Sequence, residues 1–489
     1  MKMFGRAPLG VALGIFLASP SVGQQQEAVA PPIGDQVLDV IGTADWHRAH
    51  WGIDVRDAAT GERVLGHNAE RLFVPASNLK LVVAAAAAHL LGGDFRYSTE
   101  FFRTGPLNGE TIEGDVVVYG TGDPNLSGRF DRPMTADLAA FADSLLERGV
   151  RRVDGGIVAD VSHWDHEPLH TDWEHYDMRW WYAAPTGPLG FNDNAIDFTI
   201  RPGAPGGPAR VSWKPDTDSF VFLNETRTSA AGGDATWDFD RVPGTDTIFA
   251  YGEMPADARA KTEHFSVRDP ALFFGMMLGQ VLAERGIEVV RPGVAVIRDR
   301  LDSAGAEREP LFTYWSRPLA DVLGPILRRS QNWFAEQLLK TLGREIREEG
   351  SWEAGLEVVE TYLREDVGLD SLDFSLRDAS GLAAGNLITP AALAEILVHL
   401  HGTEAGELVW DALPASAEAG GSLRARFLEL PGRVRAKTGH IRNVDSLTGF
   451  VRAASGRLLA FSVIVNGTPA TSAATSDAID QVVRIVAKM

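Results

Sequence analysis

The stretch from Val74 to Ala88 reads V-P-A-S-N-L-K-L-V-V-A-A-A-A-A. A run this apolar predicts a helix, and proline suits a first turn, so we expect the helix to begin near Pro75. Within it Ser77 and Lys80 lie three residues apart on one face, where their side chains can touch. A lysine kept neutral by burial can take the proton of a hydroxyl and make it a nucleophile. An ordinary amphipathic helix whose lysine reaches solvent is the alternative.

A second polar motif, S-Q-N, occupies residues 330–332 between two apolar helical stretches. We expect Ser330 and Asn332 to lie on a short connection between the helices, where a polar pair can point into a cleft. Taken alone, Ser330 fits an ordinary helix cap better.

The third motif, K-T-G at residues 437–439, lies on a predicted strand. Basic residues are concentrated around it, namely Arg433, Arg435, Lys437, His440 and Arg442. We expect this cluster to hold a carboxylate, although the chain as a whole is acidic. Thr438 offers a hydroxyl to the same carboxylate, and Gly439 leaves room for an acyl chain to lie along the strand edge.

Strand patterns at the two ends of the chain predict a single sheet. The predicted strands are residues 50–57, 63–67, 434–439, 446–453 and 458–467. A closing helix from about Thr471 to Met489 would cover them. The two ends therefore predict a five-stranded antiparallel sheet with helices between them in sequence.

Residues 96–294 have a different character. Short strand patterns there are broken by stretches rich in Gly and Pro, and helical patterns occur at 134–150 and 269–287. We interpret this region as an insertion into a domain formed by residues 24–95 and 295–489.

The N-terminus and the composition restrict the class of protein. Residues 1–23 combine a cationic start with a short apolar run, the layout of a secretory signal peptide, and the run is too short to span a membrane. No later segment is long enough either, so we expect an exported mature chain with no transmembrane segment. The chain has no cysteine, which excludes disulfides and thiol catalysis. Its net charge of −20 argues against a nucleic acid partner.

The motifs S-x-x-K, S-x-N and K-T-G, in this order, resemble the set found in penicillin-binding proteins and serine β-lactamases. Further stretches resemble D-alanyl-D-alanine carboxypeptidase/endopeptidases of the low-molecular-mass, class C penicillin-binding type, namely G-T-G-D-P-N-L at 120–126, P-L-G-F-N-D-N at 188–194 and D-A-S-G-L-A-A-G-N-L-I-T-P at 378–390. The resemblance covers nearly the whole mature chain. It implies a multidomain α/β (α+β) protein with a transpeptidase/β-lactamase-like domain. That domain is interrupted by two smaller nested domains, β-rich or mixed, within residues 96–294.

The resemblance also implies a role for each motif. Ser77 attacks a carbonyl to form an acyl-enzyme, Lys80 accepts the proton, and Ser330 relays a proton to the departing amine. The substrate-binding residues are Asn332, Lys437, Thr438 and Gly439. The backbone N–H groups of Ser77 and His440 form the oxyanion hole. The implied enzyme is a periplasmic serine carboxypeptidase, without cofactor or metal, that acts on peptidoglycan stem peptides and cross-links and is inhibited by β-lactams.

Some positions depart from the family pattern. Gln331 stands where many members have Asp, Ala379 interrupts the usual D-G-S-G, and His440 follows K-T-G where a hydroxyl residue is common. Two other functions stay open: a β-lactamase-like serine hydrolase with the same acylation step, and a noncatalytic cell-wall binding protein. The large insertion disfavours the first, and the retention of all the motif residues disfavours the second.

Residues 162–176 contain four histidines together with Asp165 and Glu174, and these side chains could ligate a metal. Four tryptophans in and near the segment favour the packing of a long polar loop instead, namely Trp164, Trp173, Trp180 and Trp181. We expect a packing role, because the carboxypeptidase chemistry needs no metal.

Overall fold

The computed structural model describes residues 31–130, 132–299 and 307–489, so the predicted signal peptide at residues 1–23 lies outside the described residues. The α-helices are α1 (Ile33–Ile41), α2 (Leu79–Leu90), α3 (Ala136–Glu147), α4 (Pro270–Glu284), α5 (Leu319–Arg328), α6 (Asn332–Arg347), α7 (Trp352–Tyr362), α8 (Pro390–Leu400), α9 (Glu404–Ala412) and α10 (Ser472–Val486). None of these helices is long and apolar enough to cross a membrane.

The strands of the N-terminal part and the inserted region are β1 (His50–Asp57), β2 (Arg63–His67), β3 (Ser98–Arg103), β4 (Leu107–Asn108), β5 (Thr111–Ile112), β6 (Val116–Gly120), β7 (Arg152–Val153), β8 (Ile157–Asp160), β9 (Ala195–Arg201), β10 (Arg210–Lys214), β11 (Val221–Ser229), β12 (Asp238–Arg241), β13 (Thr247–Pro255), β14 (Lys261–Ser266), β15 (Glu288–Val289), β16 (Val294–Ile297) and β17 (Glu309–Trp315). The strands that follow are β18 (Phe374–Ser375), β19 (Leu387–Ile388), β20 (Val434–Ile441), β21 (Val444–Arg452) and β22 (Leu458–Asn466).

The two ends of the chain form one antiparallel sheet of five strands, in the order β2-β1-β22-β21-β20. This confirms the sheet predicted from the sequence. Helices α1 and α10 cover one face, where Val482 and Val483 pack against strand residues such as Val463. Helices α2 and α8 lie in the core on the other face. Strand β20 is an edge of the sheet, where residues 414–416 hydrogen-bond to Val434 and Ala436 and the turn that carries Ser77 packs further along the strand.

Helix α2 is buried on every side, since each residue from Leu79 to Ala88 is buried. The predicted start near Pro75 is wrong, because residues 76–78 form a 3₁₀ turn and the α-helix begins at Leu79. The reason is local: Ala76 has a φ of 49°, which an α-helix does not allow. The turn places Ser77 at the N-terminal end of the buried helix.

The inserted region contains two groups of strands. One group comprises a five-stranded mixed sheet in the order β16-β8-β6-β3-β17 and a smaller sheet β15-β7-β5-β4. Helices α3 and α4 contribute to the core of this group. The other group comprises the three-stranded sheets β10-β9-β14 and β11-β13-β12. Their apolar side chains join one continuous core, so packing does not separate the predicted pair of nested domains.

The predicted C-terminal boundary of the insertion, at residues 294 and 295, cuts through its main sheet. Strand β16 pairs with β8, and β17 pairs with β3, yet both strands lie at or beyond the predicted boundary. We therefore propose that the inserted region extends to Trp315. The catalytic part then resumes just before helix α5.

Candidate active site

The side chains of Ser77 and Lys80 touch, as the sequence predicted. Lys80 Nζ lies 2.8 Å from Ser77 Oγ and 2.7 Å from the carbonyl oxygen of Ser380. The lysine side chain is fully buried. Burial lowers the pKa of Lys80 to about 7, while Asp378 and Glu336 act to raise it. A large part of Lys80 is therefore neutral near pH 7 and can accept the Ser77 proton.

The sequence predicted that burial in an apolar helix would keep Lys80 neutral. Burial is confirmed as the cause for Lys80. Lys437 is a second buried lysine nearby, and burial together with the charge of Lys80 holds the pKa of Lys437 well below its usual value.

Two glycines allow the nucleophile turn to pack closely against its neighbours. A Cβ at Gly381, where φ is 78°, would lie 1.8 Å from the carbonyl oxygen of Ala76. A Cβ at Gly439 would lie 2.9 Å from the carbonyl oxygen of Pro75 and 3.1 Å from the backbone N of Ser77. Gly439 thus brings the edge of β20 against the turn, in addition to the role we predicted for it beside an acyl chain.

Ser330 and Lys437 also meet. Lys437 Nζ donates to Ser330 Oγ at 2.8 Å and to the carbonyl oxygen of Thr438 at 2.6 Å. Ser330 lies on the connection between α5 and α6, as predicted, with a φ of 60°. The helix-cap alternative is wrong, because Gln331 occupies the cap position of α6 and no side chain caps that helix.

The inserted region closes one side of the site through the loop that follows β8. Asn332 Nδ2 donates to the carbonyl oxygen of Tyr182 at 2.7 Å. Trp333 Nε1 donates to the carbonyl oxygen of Pro185 at 3.0 Å. The start of α6 is therefore fixed against the inserted loop.

A cleft of about 560 Å³ opens beside Ser77. Among the predicted site residues, Ser77, Asn332 and His440 line it. The two lysines do not line the cleft themselves. Lys80 contacts Ser77, which lines the cleft, and Lys437 contacts Ser330. The opposite wall comes from the inserted loop and includes Asp172, Glu174, Tyr176, Asp177 and Tyr182. Sequence reasoning considered Glu174 only as a possible metal ligand and missed this acidic wall, because the segment lies far from every motif along the chain.

The predicted basic cluster is only partly correct. Arg435 stacks on Trp410 and donates to backbone carbonyls beside it, and Arg433 donates to the carbonyl oxygens of Arg452 and Ala487. These arginines stabilise the sheet and its helices and do not line the cleft. The remaining basic residues at the site are Lys437, His440 and Arg442.

His440 is oriented by a buried carboxylate. Its Nδ1 lies 2.8 Å from Asp445 Oδ1, which also accepts from Ser472 Oγ at 2.5 Å. The hydrogen bond to Asp445 raises the pKa of the His440 imidazole. The imidazole therefore carries more positive charge near neutral pH than a free histidine would.

The histidine-rich segment packs as we expected. Trp164 and Trp173 are buried, and Trp173 Nε1 donates to Asp378 Oδ2 at 3.0 Å. His163 Nδ1 lies 2.8 Å from the hydroxyl of Tyr119. Within the residues that the structure describes, no group of three acidic or histidine side chains could hold a metal ion.

The buried Ser–Lys pair, the serine–lysine contact behind it and the edge strand beside it define a serine hydrolase of the penicillin-binding class. The chain belongs to the D-Ala-D-Ala carboxypeptidase 3 (S13) family, which matches residues 35–489. It is thus a serine peptidase, consistent with a low-molecular-mass class C penicillin-binding protein.

Individual relatives agree with this assignment. The chain is 32% identical over 463 residues to a D-alanyl-D-alanine carboxypeptidase of Actinomadura sp. (strain R39), covering 92% of this chain and 84% of that protein. The crystal structure of penicillin-binding protein 4 (DacB) from Haemophilus influenzae has the same fold, with a TM-score of 0.79 at 19% identity over 94% of this chain and 98% of that one. The complex of that protein with a β-lactam superposes with a TM-score of 0.75 at the same identity and coverage.

Proposed function

We propose that this protein is an exported D-Ala-D-Ala carboxypeptidase that removes the terminal D-Ala from peptidoglycan stem peptides through an acyl-enzyme on Ser77. The observation that carries the proposal is the 2.8 Å contact between Ser77 Oγ and the buried Lys80 Nζ. The names of the relatives, which include carboxypeptidases over most of the chain, support this substrate class.

The chemistry follows from the contacts. The neutral amine of Lys80 takes the hydroxyl proton as Ser77 Oγ bonds to the carbonyl carbon of the penultimate residue. The bond from that carbon to the nitrogen of the terminal D-Ala then breaks. A proton reaches the departing amine through Ser330, which lies beside Lys437. Water hydrolyses the ester and restores Ser77.

The edge strand supplies the remaining interactions. The substrate carboxylate is held by Lys437 and the hydroxyl of Thr438. A carboxylate next to Lys437 favours its charged form, so binding opposes the effect of burial on that lysine. The backbone N–H groups of Ser77 and His440 hold the oxyanion, and Asn332 binds the peptide from the other side of the cleft.

The acidic wall favours a substrate that carries an amine. Asp172, Glu174 and Asp177 line the cleft, where Arg442 lies 3.8 Å from Glu174 and also acts electrostatically on Asp177, so the three carboxylates outnumber this one cation. Stem peptides with a free amine on the middle side chain would suit this wall. Cross-linked peptides also end in a D-Ala bond that the same nucleophile can reach, so we include DD-endopeptidase activity and inhibition by β-lactams in the proposal.

We propose a periplasmic location on the basis of the signal peptide predicted at residues 1–23. The reaction needs no cofactor, because a serine, a lysine and backbone N–H groups suffice for acyl transfer.

The test is to follow D-Ala release from an N-acylated peptide that ends in D-Ala-D-Ala, with the same peptide ending in L-Ala as control. We expect release from the first peptide only, and loss of release after treatment with penicillin. A purified cross-linked muropeptide dimer, assayed in parallel, measures the endopeptidase activity. Release that persists at the same rate after saturating penicillin would contradict the proposal.

A further inference from the structure

Glu336 is a buried carboxylate that lies outside the three catalytic motifs. It lies one turn after Asn332 on α6 and is fully buried. Its Oε1 accepts from the backbone N–H of Ser380 at 2.8 Å, and its Oε2 accepts from the N–H of Ala379 at 3.1 Å. Trp352 Nε1 donates to Oε2 at 2.8 Å. The glutamate therefore holds the loop that carries the carbonyl contacted by Lys80.

Asp378 belongs to the same loop, binds its backbone N–H groups and is also fully buried. Its Oδ1 accepts from the N–H of Gly381 at 2.8 Å, and its Oδ2 accepts from the N–H of Ala383 at 2.8 Å. The indole of Trp173 donates to Oδ2 at 3.0 Å, so the inserted region also contacts this carboxylate. Two buried carboxylates thus hold residues 379–383, the segment whose Ser380 carbonyl oxygen accepts from Lys80.

A carboxylate is an expensive way to hold backbone N–H groups in a dry interior, where a neutral acceptor would serve. The use of a charged side chain, Glu336, at this position therefore needs an explanation. The buried amine of Lys80 donates to the carbonyl oxygen of Ser380, whose own N–H is bound by Glu336. Glu336 and the lysine that activates the nucleophile therefore bind the backbone N–H and the backbone carbonyl of the same residue, Ser380.

We propose that Glu336, supported by Asp378, is a positioning residue that holds the Ser380 carbonyl against Lys80 and sets how readily Lys80 takes up a proton. The inference rests on the proposed role of Lys80 as the base for Ser77. The negative charge of the carboxylate favours the protonated form of Lys80, which makes the amine a stronger base. Without this charge the buried amine would be a weaker base.

The charged groups around the cluster come from several elements. Lys80 on α2 interacts electrostatically with Glu336 on α6 and with Asp378 in the loop before β19, and it lowers the pKa of Lys437 on β20. Burial and Asp378 raise the pKa of Glu336 to about 7. Lys340, one turn further along α6, also interacts with Glu336, but its ammonium is paired with Asp165 at 2.7 Å.

The test is the pH profile of penicillin acylation in wild type and Glu336→Gln. Removal of the negative charge lowers the pKa of Lys80, so we expect the acid limb of the profile to move down by about one pH unit. The matched control is Glu345→Gln, which removes a carboxylate from the same helix that is not among the groups acting on Lys80, and it should leave the limb in place. A limb that stays in place in folded Glu336→Gln would overturn the inference.

If Glu336→Gln does not fold, the interaction between Glu336 and Lys80 is measured through the titration of the glutamate in a Lys80 variant. The protein is labelled with carbon-13 at the glutamate carboxyls, and its titration is compared by NMR in wild type and Lys80→Met. Loss of the lysine charge should move the titration of one buried glutamate to higher pH. The absence of any such shift would overturn the inference. Failure of wild type to react with penicillin would instead contradict the proposed function.

Discussion

Replacement of Lys80 by arginine is expected to slow acylation of Ser77 by roughly 10²- to 10⁴-fold, the usual effect of removing a general base. Arginine stays protonated at every working pH and cannot accept the Ser77 proton. In wild type the neutral fraction of Lys80 falls as pH drops below its pKa of about 7. The wild-type acylation rate should therefore decline on the acid side of neutrality.

The measurement is the rate of covalent penicillin attachment against pH, with thermal melts to confirm folding. Lys340→Arg is the matched control, because Lys340 is also a buried lysine but pairs with Asp165 away from Ser77. It should acylate at the wild-type rate. Lys80→Met, which is neutral and of similar length, provides the same comparison if the arginine cannot be accommodated. Near wild-type acylation by a folded Lys80 variant would exclude Lys80 as the base.

Lys437→Ala should weaken reaction with substrates that end in a carboxylate by about 10- to 150-fold, because one charge-assisted hydrogen bond contributes ~1.5–3 kcal/mol. A neutral ester of the same peptide should lose much less. The loss of the contact to Ser330 affects both substrates alike, so the informative quantity is the ratio of their kcat/KM values.

Arg435→Ala is the control for this prediction. It removes a cation from the same strand, but Arg435 stacks on Trp410 away from the cleft. The ratio for Arg435→Ala should match that of wild type. Equal losses for the acid and the ester in Lys437→Ala would assign Lys437 a purely structural role.

Much of the central sheet was predictable because β1 alternates in polarity and the strands end at clear turns, although β21 and β22 are buried on both faces. Strands β1 and β2 have the predicted limits. The connection between β20 and β21 is shorter than predicted. It consists of Arg442 and Asn443 alone, which form a two-residue turn in which Asn443 has a φ of 62°. We propose a later end for the insertion than the sequence suggested, because β16 and β17 pair with strands far away in sequence and local patterns do not reveal such pairing.

The motif residues of the site were predictable because each combines a reactive side chain with a distinctive local context. Glu336 was missed since its partners, Ala379 and Ser380, lie on a distant loop. A signal was present, because Glu336 follows Asn332 by one turn and has apolar neighbours such as Trp333 and Leu339 on the same helix. Arg435 was wrongly placed at the site because a strand advances about 3.3 Å per residue, which carries it past the cleft.

The account depends most on Ser77 as the nucleophile, and mass spectrometry of the intact protein after incubation with penicillin tests this directly. Wild type should gain one covalent penicillin mass, and peptide mapping should locate it on Ser77. The Ser77→Ala variant should gain none, although its melt should match that of wild type. The absence of an adduct in wild type, or an adduct that persists in Ser77→Ala, would contradict the account.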